Sequence, residues 1–231
     1  MNYLSPQQDA EALALAKRQF REHQLIVLLL LFAMWTVEMV QFWLETRFFM
    51  WGLNPRTAQG LVGIVTMPFL HSGFDHLMAN SFGIAVLSMG LLHFYPKISL
   101  RVFLYSAIFS ALLVWTFARP SYHIGASAVI YSFSAFIFIS GVLRRDKKSV
   151  GAALVVAFLF GASVWGMLPF QIGISWEGHL FGAVTGSFLA LRYRKIDLPP
   201  RYLEDEGDEE NDGDEAHFRE QFDHHHWEKN D

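Results

Sequence analysis

The chain has 231 residues, 52% hydrophobic and only 17% charged, a balance too apolar for an ordinary soluble domain and too long for a single membrane anchor. Its net charge of -4 hides a division: residues 1–203 carry 16 Lys and Arg against 9 Asp and Glu, whereas residues 204–231 carry 2 against 13. With no cysteine, disulfides, thiolate ligands and cysteine nucleophiles are excluded.

Runs of the roughly 17–25 apolar residues that cross a bilayer predict six helices, over 25–44, 74–95, 98–118, 125–142, 149–168 and 175–191. The expected fold is all-α, a polytopic six-transmembrane-helix bundle. Residues 1–24 are polar, lack a cleavable signal pattern and read as a cytoplasmic segment. Residues 25–195 form the membrane domain, and residues 196–231, with the run EDEGDEENDGDE, read as a disordered cytoplasmic tail because like charges repel and little can be buried. Basic residues cluster before the first span, between the second and third, between the fourth and fifth, and after the last. That bias predicts both termini in the cytoplasm, and the expected location is a bacterial cell (inner) membrane.

In the first span, Glu38 and Gln41 are expected near the outer end, meeting water or the first loop, with a transport pathway as the alternative. Before the second, Ser72-Gly73-Phe74-Asp75 has the form of a capping box. His76 and Asn80, four residues apart, then share one helix face. They present two polar groups to one place, or else bridge helices by hydrogen bonds.

Ser127, in GASA, follows Pro120 and Gly125 and is predicted in the first turn of the fourth helix. Backbone N–H groups there lack intrahelical partners and can hold an oxyanion. Ser163, in a second small-residue run, is expected mid-helix as a packing residue beside Gly161 and Ala162. In the sixth span, Gly182 and Gly186 form GxxxG, which admits a close neighbour. If that neighbour is the fourth helix, with its small face of Gly125 and Ala128, His179 can serve Ser127 as general base. Glu177 lies about 200° around the helix from His179, so a dyad is expected rather than a triad. Counted from the cytoplasmic ends, Asn80, Ser127 and His179 lie at heights of about 24, 26 and 20 Å, one layer of the bilayer.

Other chemistries fit less well. The chain has no HExxH and no aspartate pair within the spans, and His224–His226 form a histidine run too short and too tail-bound to define a site. No metal, cofactor or nucleic-acid partner is expected.

In order and spacing, PFLHSGFDHLMAN, GASAVIY and GHLFGAVTG resemble the rhomboid family of intramembrane serine proteases, from about Gly60 to Leu191. The resemblance implies a serine endopeptidase that cleaves transmembrane protein substrates within the lipid bilayer. Ser127 matches its nucleophile and His179 its base. His76 and Asn80 match the oxyanion-binding residues, Tyr131 the tyrosine that packs on the base, and Gly182 and Gly186 the close-packing glycines. Two departures stand out: Ala128 follows the serine where the family form is GxSG, and Val62-Gly63 replaces a Trp-Arg pair in the first loop. The alternative from another class is a noncatalytic rhomboid-like protein that binds or escorts membrane clients.

Overall fold

The computed structural model describes residues 6–170 and 173–196; the acidic tail and His224–His226 lie outside the described residues. Among these the secondary structure is helical: α1 (Pro6–Trp43), a short α2 (Gly63–Thr66), α3 (Phe74–Phe94), α4 (Ser99–Phe117), α5 (Ser127–Arg144), α6 (Lys147–Phe160) and α7 (Trp176–Tyr193). Five segments are long and apolar enough to cross a membrane: Phe20–Trp43, Phe74–Phe94, Ser99–Phe117, Ser127–Arg144 and Lys147–Met167. The sixth predicted span corresponds to α7, an 18-residue helix diluted by Glu177, His179 and Arg192. α1 and α6 leave large apolar side chains such as Phe32, Leu154 and Phe158 uncovered. Such faces suit hydrocarbon as solvent, because their side chains are apolar and the backbone between the helix ends is hydrogen-bonded within the helix. The protein is an all-α polytopic membrane protein.

α5 is the central element, packed against α3, α4, α6 and α7. Its closest partner is α7, and two glycines explain why. A Cβ at Gly182 would lie 2.2 Å from Ala128 O, and one at Gly186 would lie 1.9 Å from Ser132 O. Only hydrogen fits at either position. At the other end of the bundle, the Arg144 guanidinium lies 4.5 Å over the Tyr95 ring and donates to the carbonyls of Tyr193 and Ile196. Asp146 then caps α6, accepting from the Ser149 N–H at 2.9 Å.

The connection between α1 and α3 folds back onto the bundle. Arg47 pairs with Glu38 at 2.7 Å, Gln41 Nε2 donates to the other Glu38 oxygen at 2.7 Å, and Gln41 Oε1 accepts from the Phe48 N–H at 2.9 Å. Glu38 and Gln41 therefore meet the first loop but not water, since both are buried. An inward-facing carboxylate this far from solvent needs a cation and hydrogen bonds. Arg56 closes the far side, donating to Ala118 O at 2.7 Å and Thr116 O at 3.2 Å at the C-terminal end of α4.

Two local expectations are corrected. The N-cap of α3 is Gly73, at φ 155° and with no side-chain cap, rather than Ser72. Ser72 instead places its Oγ 3.2 Å from His76 Nδ1. The fifth span changes from α to 3-10 geometry over Gly161–Met167, so Ser163 is not in mid-α-helix. Its Oγ donates to Phe160 O at 2.6 Å, and its neighbours Gly161 and Ala162 are exposed rather than packed.

Candidate active site

Ser127 is the first residue of α5 and follows Gly125, whose φ of 99° an L side chain rarely adopts. The turn is fixed from outside as well, because the Gly125 N–H donates to Met67 O at 2.9 Å. It leaves Ser127 at a helix start, with its N–H beyond the reach of the intrahelical ladder.

His179 Nε2 lies 3.0 Å from Ser127 Oγ, and His179 Nδ1 lies 2.8 Å from Gly166 O. A carbonyl only accepts, so Nδ1 carries the proton and Nε2 is left to accept from the serine hydroxyl. The Tyr131 ring stacks on the imidazole, with centroids 4.2 Å apart and planes 7° from parallel, while its hydroxyl donates to Ser163 O at 2.6 Å. Gly166 could not be larger: a Cβ there would come within 2.4 Å of Tyr131 Oη and 3.1 Å of His179 Nδ1. The ring is thus held on its face by Tyr131 and at one edge by a backbone carbonyl.

His76 and Asn80 approach the same turn from α3. A Cβ at Gly125 would lie 2.8 Å from His76 Nε2 and 3.9 Å from Asn80 Oδ1, so both side chains reach the approach to Ser127. Gly125 therefore opens onto α3 rather than onto α7, whose small partners on α5 are Ala128 and Ser132. The Ser72 N–H donates to His76 Nδ1 at 3.5 Å, which leaves Nε2 as the ring's N–H donor. Asn80 Nδ2 donates one hydrogen to His76 O at 2.8 Å and has a second to offer. Ser72, His76, Asn80, Ser127, Tyr131 and His179 all line one cavity of about 850 Å³. An oxyanion forming beside Ser127 Oγ would lie in the cavity these side chains line, where N–H groups already held in place can stabilise it.

Glu177 is buried and pairs with Arg119 Nε at 3.3 Å, while His179 Nδ1 is bonded to the Gly166 carbonyl. Sequence reasoning did not find Gly166, His71 or His123. His71 is fully buried with its ring 5.0 Å from that of His76. Burial, with His76 adding to it, lowers its pKa to about 4. Burial also lowers the pKa of His123, against the opposing pull of the Arg119 carbonyl.

The site is thus a hydrogen-bonded serine–histidine pair at a helix start, inside a bundle of membrane-spanning helices. The Rhomboid domain matches residues 58–196, and the chain belongs to the rhomboid family. It is 34% identical over 146 residues to uncharacterized proteins of Mycobacterium tuberculosis and Mycobacterium bovis, covering 58% of this chain and 60% of each relative. An uncharacterized protein of Mycobacterium leprae is 29% identical over 168 residues, covering 68% of this chain and 65% of the relative. The chain thus spans about 60% of the length of the first of these relatives.

Proposed function

We propose that this protein is an intramembrane serine protease that hydrolyses peptide bonds in or near transmembrane segments of other membrane proteins. The observation that carries the reading is the 3.0 Å approach of Ser127 Oγ to an imidazole nitrogen whose partner nitrogen is committed to Gly166 O. In the reaction, His179 Nε2 takes the serine proton as Oγ attacks the scissile carbonyl. The oxyanion is held by the Ser127 N–H, the His76 Nε2–H and the Asn80 amide. His179 then gives its proton to the leaving amine, and the same nitrogen activates the water that releases the acyl group.

Hydrolysis inside a membrane needs a water route, and the cavity above the pair, lined by Arg119, Ser121 and Ser175 among others, supplies polar walls for one. With both termini in the cytoplasm, as the basic connections favour, that cavity faces the outside of a bacterial inner membrane. Membrane segments that unwind near the outer leaflet are then the substrates.

The test is labelling by a fluorophosphonate probe, together with cleavage of a transmembrane reporter by the full chain in detergent or liposomes. Wild type and Ser163→Ala are expected to react, while Ser127→Ala and His179→Ala lose reaction to background. Reaction surviving in Ser127→Ala would sink the assignment. A wild-type protein inert in both assays would be a noncatalytic member of the family that binds or escorts membrane clients.

A further inference from the structure

Four residues before Ser127 stands His123, and four residues before His179 stands Ser175. The two are hydrogen-bonded to each other: His123 Nε2 donates to Arg119 O at 3.2 Å, so its Nδ1 is the acceptor and takes the Ser175 hydroxyl. Arg119 adds two further ties across the same gap. Its Nη2 donates to Ile174 O at 2.6 Å, and its Nε meets Glu177 at 3.3 Å, with the Arg119 N–H 3.4 Å from the same carboxylate oxygen. The backbone of His123 is pinned on the opposite side, exchanging hydrogen bonds of 3.0 and 2.8 Å with Leu53 of the first loop.

We infer that His123, Ser175 and Arg119 are positioning residues that latch the loop carrying Ser127 to the helix start carrying His179, and so set the separation of the reacting pair. The inference rests on the protease reading for its consequence, though not for its geometry. Two bonds join the same two segments at equal sequence offsets, and all four residues line the same cavity. His179 N–H donates to Ser175 O at 3.3 Å, so the latch serine and the base share one turn of backbone. When the His123–Ser175 bond is lost, α7 is free to shift relative to α5 at its N-terminal end, and a 1 Å misplacement of reacting groups costs up to about 10²-fold in rate. Neither His123 nor Ser175 touches the hydroxyl or imidazole that reacts, so both act through the placement of others.

The experiment compares wild type, Ser175→Ala and Ser175→Thr in detergent, using a fluorophosphonate for inactivation kinetics and amide hydrogen exchange for the latched segments. Ser175→Ala is expected to lower the maximal inactivation rate about tenfold, with the half-saturating probe concentration unchanged. Ser175→Thr, which keeps the hydroxyl, restores the rate. Exchange in Ser175→Ala rises in residues 118–126 and 174–180 together. A change in half-saturation alone, a failure of Thr to rescue, or faster exchange confined to one segment overturns the latch. If wild type does not react with the probe, the protease reading fails, and the paired exchange response still decides whether the latch exists.

Discussion

Gly182→Ala is the substitution whose effect follows most directly from the packing of α7 on α5. The added Cβ would lie 2.2 Å from Ala128 O, 3.0 Å from its carbonyl carbon and 3.1 Å from its Cα, all backbone atoms that no rotamer change can clear. Ordinary contact begins near 3.4 Å, so α5 and α7 must separate locally by about 1 Å. Ala128 follows Ser127 directly, and Gly182 lies less than one helical turn after His179, so the displacement falls on the dyad. A 3.0 Å bond lengthened to about 4 Å is no longer a hydrogen bond. The expected result is a fluorophosphonate labelling rate reduced by about 10²-fold. Overpacking should also lower stability by about 1–3 kcal/mol, read from the unfolding midpoint in detergent. Gly151→Ala on α6 is the matched control, because a Cβ there meets nothing within 4 Å and a helical alanine is favoured. Labelling of Gly182→Ala within threefold of wild type would refute the claim that glycine contact sets the helix spacing at the site.

Arg47→Ala strands the buried Glu38 carboxylate and should cost on the order of 2 kcal/mol, with Glu38→Gln less damaging because it removes the charge as well; urea unfolding followed by tryptophan fluorescence measures both. His71, with a folded pKa of about 4 against 6.5 when unfolded, takes up its proton more readily in the unfolded chain. Stability should therefore fall as pH drops below 6.5, by about 2 kcal/mol at pH 5, and level off below 4. His71→Gln should remove that slope from a pH series of unfolding midpoints. Ala128→Gly places glycine in the first turn of α5 and should destabilise by roughly 1 kcal/mol while labelling proceeds, measured on one preparation by both methods.

The spans were legible because hydrocarbon demands long apolar runs. Five of them recur with ends shifted by a few residues, and the first extends back to Pro6 as one helix. The placement of Ser127 at a helix start could be read from Pro120 and Gly125, and the approach of the fourth and sixth helices from Gly182 and Gly186. Gly166 could not: its part is played by a carbonyl, and every residue has one. Nor could the burial of Glu38, whose partner Arg47 lies beyond the end of the helix and becomes a neighbour only when the first loop folds back. Ser72 misled for the reverse reason, since a hydroxyl that suits a helix cap also suits an imidazole, and His76 is the nearer competitor. The switch to 3-10 geometry at Gly161 is a tertiary outcome, turning the Ser163 and Gly166 carbonyls toward Tyr131 and His179.

Holding His179 with the Gly166 carbonyl has an electrical consequence. The histidine is oriented by a dipole and not by an anion, and its bond from the Ser127 hydroxyl needs the uncharged ring. The resting pair is therefore electroneutral. A potential of 100 mV does about 2.3 kcal/mol of work on an elementary charge moved across the membrane, yet it has no net charge to act on in assembling this pair. If the pair is the protease's dyad, forming its hydrogen bond is expected to be insensitive to the membrane potential, because no net charge moves in making it.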